Sequence, residues 1–128
     1  IFVETKYHEN LQGNDYDIKP RYLDVCASSE AFQTDKLESL MHGSLQQIWF
    51  DHLLLLATAD TDRLDTALFT LLFPEINTPC ASAVLHYEEC LTPSGSLTFE
   101  ARTIEDFIGS LQNSIGSRWI EDFKTRYL

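Results

Sequence analysis

The pattern of apolar and polar positions begins with a short alternating run. Ile1-Phe2-Val3-Glu4-Thr5-Lys6-Tyr7 is rich in β-branched and aromatic residues and predicts a strand. Side chains alternate along a strand, so Phe2, Glu4 and Lys6 share one face, with Ile1, Val3, Thr5 and Tyr7 on the other. The following HENLQGNDYDIKPR is polar, rich in Gly, Asn and Asp, and predicts a loop. From Tyr22 to about Leu40 the pattern is weakly helical. Leu23, Cys26 and Ala27 form one face of a short helix, and Phe32, Leu37 and Leu40 part of another. Gly43 and Ser44 break it. The best helix is SLQQIWFDHLLLLATAD, Ser44 to about Asp60, with Ser44 as N-cap. On its wheel Gln47, Asp51 and Thr58 make a narrow polar stripe, and nearly everything else is apolar, which predicts burial on most sides. Gln46 and His52 fall on the apolar side, flanking Trp49, where an amide and an imidazole need partners. For His52 the simpler role is a core histidine with its hydrogen bonds satisfied.

Thr66 to Phe73 reads as a buried strand ended by Pro74. NTPCASAVLHYEECL reads as a helix capped by Asn77 or Thr78, with Pro79 in its first turn. Thr92 to Gly95 is a turn, and Ser96 to Ala101 alternates like a strand. Thr103 to Asp106 opens a helix with an acid at the fourth place. That helix runs to about Ser114, Ile115-Gly116-Ser117 interrupts it, and Trp119 to Tyr127 forms a last short helix. Strands alternating with helices indicate an α/β fold, here expected as a mixed sheet flanked by helices.

Composition narrows the class. A chain of 128 residues, 44% hydrophobic, is one domain with a real core. Its longest apolar run is Leu53 to Ala57, far short of the roughly 18 residues of a membrane span. Cys26, Cys80 and Cys90 are scattered without a CxxC pair, which suits reduced thiols in a cytoplasm. His86 and Cys90 stand at i, i+4, but two ligands make no metal site. Twenty acidic against nine basic residues give a formal charge of −11, the opposite of a general nucleic-acid surface. DNA chemistry would need local positive charge or a metal. Residue 1 already sits inside a strand and is not Met, so the chain reads as the C-terminal part of a longer protein.

The first strand carries candidate chemistry. Glu4 and Lys6 lie on one face with Cα atoms roughly 6.5 Å apart. A carboxylate can hold Mg²⁺, the Thr5 carbonyl between them offers another oxygen, and the ammonium can orient water or steady charge on a phosphate. Alone, an E-x-K triplet more often marks a solvated ion pair.

The order of motifs changes that balance. Val3 to Lys6, VETK, is followed by LQQIWFDHLL (Leu45 to Leu54), where Gln46 and Phe50 have Q-x-x-x-aromatic spacing, and then by TALFTLLF. This resembles the second half of a PD-(D/E)XK nuclease core. A further set is ETKYHE (Glu4 to Glu9), PRY (Pro20 to Tyr22), QIWFDHLL (Gln47 to Leu54), FPEIN (Phe73 to Asn77) and RYL (Arg126 to Leu128). It is similar to a group of uncharacterised bacterial proteins described as restriction-endonuclease-like. The resemblance covers nearly the whole chain. It implies an incomplete restriction-endonuclease-like core, the C-terminal portion of such a domain over residues 1–128. The family's metal-binding aspartate would precede Ile1, so the polypeptide by itself is expected to be inactive.

The resemblance implies a nuclease that hydrolyses DNA phosphodiesters with Mg²⁺ or Mn²⁺, in restriction or phage defence. Glu4, Lys6 and Gln46 are the candidate catalytic residues, with metal held by Glu4 and Thr5. Gln47 is the alternative to Gln46. Tyr7, Lys19 and Arg21 would line the DNA path. Trp49 and His52 would pack beneath the site, with His52 available to hydrogen-bond a metal-binding group. A homodimer would serve double-strand cutting. The alternative is an inactive module of the same fold that binds a protein partner, which the acidic charge favours.

Overall fold

The computed structural model describes residues 1–7, 11, 16–115 and 118–127. Among the described residues three strands and six α-helices follow one another. These are β1 (Phe2–Thr5), α1 (Pro20–Ser29), α2 (Leu37–Leu40), α3 (Gly43–Asp62), β2 (Phe69–Phe73), α4 (Thr78–Glu88), β3 (Phe99–Thr103), α5 (Ile104–Ile115) and α6 (Arg118–Tyr127). The sheet order is β1-β2-β3, and both pairings are parallel. The expectation of a mixed sheet is corrected: its described strands all run one way. Helical crossovers join them, and such a connection returns the chain to begin the next strand in the same direction.

Burial follows from that topology. All five residues of β2 are buried, as befits a central parallel strand covered on both faces. Phe69, Leu71 and Phe73 join the main core, which holds Ile48, Trp49 and Leu53 of α3 and Val84 and Tyr87 of α4. Leu72 turns the other way, into a smaller cluster with Ile104, Ile108 and Ile120 from α5 and α6. The sheet is therefore the middle of three layers.

Register places an aromatic row across the start of the sheet. Phe2, Phe69 and Phe99 are aligned partners, with ring centroids 5.7 and 5.5 Å apart. His52 packs on this row from α3 and is fully buried. Its Nε2 lies 2.8 Å from Thr98 Oγ1, and its Nδ1 lies 2.9 Å from the Tyr87 hydroxyl. Thr98 donates its own proton to the Gly95 carbonyl, so it accepts from His52 Nε2–H. Nδ1 then accepts from Tyr87, which fixes a neutral ring. Burial pushes the His52 pKa down to about 4. Both nitrogens are spent inside the core, as a core histidine requires.

Local departures from the sequence pattern have identifiable causes. The N-cap of α3 is His42, not Ser44, because Gly43 enters the helix at φ +62°, a left-handed value that glycine tolerates best. The buried side of α1 runs through Tyr22, Val25 and Cys26, whereas Leu23 is 42% exposed. Beyond α1 the chain leaves helical geometry because Phe32 bridges Leu91 and Gln33 N–H bonds to the Cys90 carbonyl. A 3₁₀ turn at Gly95–Leu97 displaces β3 toward the C-terminus of its expected span. Thr103 Oγ1 accepts from Asp106 N–H and opens α5 as expected. The expected break around Gly116 and Ser117 lies outside the described residues.

The three cysteines are free and buried, and Cys90 Sγ donates to the His86 carbonyl. Among the described residues no helix is long and apolar enough to cross a membrane.

Candidate functional site

The site begins at the C-terminal end of β1, at the end of a parallel sheet where ligands commonly bind. Among the described residues β1 is an edge strand. Phe2 N–H bonds to Leu68 O and Lys6 N–H to Leu72 O. Alternate residues of a parallel strand point their backbone groups to opposite sides. The Thr5 carbonyl is therefore turned away from β2 toward the open edge.

Glu4 and Lys6 face inward with Phe2, toward the layer of α3. Lys6 is only 2% exposed, and its Nζ donates to Glu4 Oε1 at 2.8 Å. The Glu4 side chain is about one-third exposed. The pair thus joins an interior ammonium to a carboxylate that reaches solvent. A solvated surface bridge does not look like this, since its lysine would extend into water.

Asn77 holds this end of the strand in place. Its Nδ2 donates to the Lys6 carbonyl at 3.1 Å, and its Oδ1 accepts from Cys80 N–H at 3.2 Å. One buried side chain thus caps α4 and ties it to β1. Asn77→Ala should cost about 2 kcal/mol, combining a lost cap with a lost buried hydrogen bond. Urea unfolding at neutral pH measures this, and a cost of only a few tenths would show that the tether is idle.

Across from β1, α3 presents Asp51. It lies within electrostatic reach of both Lys6 and Glu4. Burial pushes its carboxyl up to about 6. The Lys6 ammonium opposes that shift, and the Glu4 carboxylate adds to it. Asp51 Oδ2 is buried and makes no hydrogen bond. A bare carboxylate oxygen in such a place costs stability unless a proton or cation joins it. Asp51 also lines a cavity of ≈ 390 Å³ between α1 and α3, together with Arg21, Tyr22, Val25, Phe50 and Leu54. Sequence reasoning saw Asp51 only as part of a polar stripe. The usable signal was its position one turn after Gln47 on a helix otherwise covered by apolar neighbours.

The other sequence candidates are distributed as follows. Gln46 is buried, but its amide is spent on backbone: Nε2 donates to Tyr16 O and Met41 O, and Oε1 accepts from Tyr16 N–H. Through these bonds it anchors the segment before α1. Gln47 is partly buried on the Asp51 stripe. Arg21 is exposed at the rim of the cavity, its guanidinium 5.1 Å from the Tyr22 ring centroid. Lys19 is the exposed N-cap residue of α1, two positions earlier. Tyr7 is 37% exposed just beyond Lys6. His8 and Glu9 of the ETKYHE motif and Leu128 of RYL lie outside the described residues.

The donor set suits a hard cation. It comprises the Glu4 carboxylate and the Thr5 carbonyl, and Mg²⁺ sites commonly use one or two carboxylates plus water. Among the described residues no group of three or more His, Cys, Asp or Glu could hold a metal ion, so a zinc-type cage is not formed by them.

A family model described as PD-(D/E)XK nuclease superfamily matches residues 1–128. No curated protein and no solved structure matches the chain significantly.

Proposed function

The chain belongs to the PD-(D/E)XK nuclease superfamily, and from that premise we propose that it is a metal-dependent nuclease domain acting on DNA phosphodiesters. The observation that carries the reading is the Glu4–Lys6 pair, with a buried lysine and a solvent-reaching carboxylate at the end of a parallel strand.

Glu4 and the Thr5 carbonyl would hold Mg²⁺ or Mn²⁺. When bound, the metal supplies Lewis-acid neutralisation of phosphate charge and a more acidic water. Lys6 positions the attacking water and stabilises charge developing on the phosphate. Its burial keeps solvent from screening that interaction, and Glu4 fixes where the ammonium points. Arg21 and Lys19, exposed on α1 and at its start, and Tyr7 would meet the DNA strand. Gln46 acts as a positioning residue, holding the segment at Tyr16 that leads into Lys19 and Arg21. A role in restriction or phage defence and a cytoplasmic location are part of this proposal. A homodimer gains no support from the described residues.

The test is cleavage of supercoiled plasmid by the full-length protein in Mg²⁺ or Mn²⁺, beside a chelator control and Lys6→Ala. Nicking or linearisation that disappears in both controls supports the reading. A folded full-length protein that cuts in neither metal refutes it. The formal charge of −11 would then favour a module that binds a basic protein partner.

A further inference from the structure

Gln46 fixes a residue whose side chain stays outside. Its amide takes both backbone groups of Tyr16, N–H and C=O, yet Tyr16 is 58% exposed. A buried amide spent in this way holds an aromatic ring in place without burying it. That ring begins a row. The Tyr16 and Phe50 centroids lie 6.3 Å apart and those of Phe50 and Tyr22 4.9 Å, and both pairs are tilted. The Arg21 guanidinium, 5.1 Å from the Tyr22 centroid, extends the row. Tyr22 and Phe50 are half-buried and wall the ≈ 390 Å³ cavity between α1 and α3, which Val25, Leu54 and Asp51 also line.

The chemistry of those walls selects an occupant. A phosphate gains nothing from aromatic and aliphatic surface and is repelled by Asp51. An aliphatic side chain would strip water from Asp51 and Arg21 and offer neither a partner. A partner's ammonium or guanidinium would meet the like charge of Arg21 at the rim. A nucleobase offers flat faces to the rings and N–H donors at its edge to the carboxylate. The cavity is also of a size that takes small-molecule groups. Stacking needs no basic surface, so it suits a chain with a formal charge of −11 better than tracking of the phosphate backbone does. Inside a duplex the base faces are covered by their neighbours, so the base that enters must be unpaired.

We propose that Tyr16, Phe50 and Tyr22, extended by Arg21, form a stacking platform for an unpaired nucleobase, supplied by a single strand or by a base swung out of a duplex. The inference rests on the nuclease reading and deepens it, because that reading leaves the strandedness of the substrate open.

The experiment is fluorescence anisotropy of labelled oligonucleotides with the full-length protein in chelator, where no cleavage is needed. The probes are a single strand of about twelve nucleotides, within the span of a single-strand site, its duplex, the duplex with one bulged base, and the same strand with its bases replaced by abasic sites. The parent should bind the single strand more tightly than the perfect duplex and lose affinity for the abasic strand, which keeps every phosphate. Tyr16→Leu and Tyr22→Leu should each weaken single-strand binding by roughly fivefold or more, the scale of one lost stacking partner. Tyr22→Phe, which keeps the ring, should bind like the parent. So should Trp119→Leu, which removes an exposed aromatic on α6. Circular dichroism establishes that each variant is folded. A bulged duplex that binds like the single strand supports the platform with a swung-out base as its source; one that binds like the perfect duplex supports it with a free strand. If both leucine variants bind the single strand like the parent, or the abasic strand binds as well as the normal one, the platform is overturned. Plasmid cleavage decides the nuclease reading separately: binding that depends on the rings without cleavage leaves the platform standing and overturns the nuclease.

Discussion

Lys6→Met is expected to lower plasmid cleavage by roughly 10²–10³-fold, the scale of removing one preorganised charge stabiliser from a transition state. Methionine is chosen because the lysine stem is buried. At 2% exposure the aliphatic carbons of Lys6 belong to the packing, and alanine would remove them along with the charge. Methionine fills most of that space, so the loss reports the ammonium. The effect should fall on kcat more than on KM, because Lys6 acts on charge that develops during the reaction. Single-turnover cleavage of a labelled duplex in Mg²⁺ and in Mn²⁺ separates the two. Cleavage at parental rate by a folded Lys6→Met protein would remove Lys6 from the mechanism.

The second large effect concerns acid stability, where two buried groups act in opposite directions. His52 titrates near 6.5 when unfolded but is held down to about 4 in the fold. A depressed histidine contributes stability above pH 6.5 that is lost as the pH falls toward 4. That loss amounts to about 3 kcal/mol, since the unfolded chain takes up a proton that the folded one refuses. Asp51 runs the other way. Its pKa rises from 3.8 to about 6, so its protonated form favours the fold. This contribution is complete below 3.8 and is lost as the pH rises through about 6. It is worth about 2 kcal/mol after allowing for its partial exposure.

Between pH 7.5 and 4 the two nearly cancel in the parent protein. Asp51→Asn removes one side of the balance. In the presence of chelator the variant should be more stable than the parent by about 2 kcal/mol at pH 7.5, and the gap should close toward pH 4. The variant alone should then show the unopposed acid loss due to His52. Urea midpoints at four or five pH values measure both. A variant less stable than the parent at pH 7.5 would mean that ionised Asp51 is well accommodated after all.

The elements that could be read from the sequence share one property: their signals are local. Asn77 and Pro79 mark the start of α4 because a cap accepts from an N–H three residues on and proline needs none. Thr103 opens α5 for the same reason. The apolar run before Pro74 identified β2, although its start slipped from Thr66 to Phe69, where pairing with Phe2 and Phe99 begins. The E-x-K geometry was also legible, because two residues apart on a strand can only mean one face.

What was not legible depends on contacts between distant positions. Leu23 reads as apolar surface for packing, but the rotation of α1 against α3 turns Tyr22 and Val25 inward instead. Gln46 reads as facing whatever α3 packs on, and so it does. Nothing in its own neighbourhood indicated that the backbone at Tyr16, 30 residues earlier, would take its amide.

The sequence by itself determined the α/β alternation, the family, and the pairing of Glu4 with Lys6, since periodicity and motif spacing are set along the chain. The tertiary structure alone decided that Lys6 is buried, that all described strands are parallel, and that Asp51 is partly buried within electrostatic reach of the pair. Each of those depends on how segments distant in the chain pack together. Helix periodicity shows which residues share a stripe but not what that stripe will face; here Asp51 of the polar stripe lines a cavity against α1, within electrostatic reach of Lys6 and Glu4.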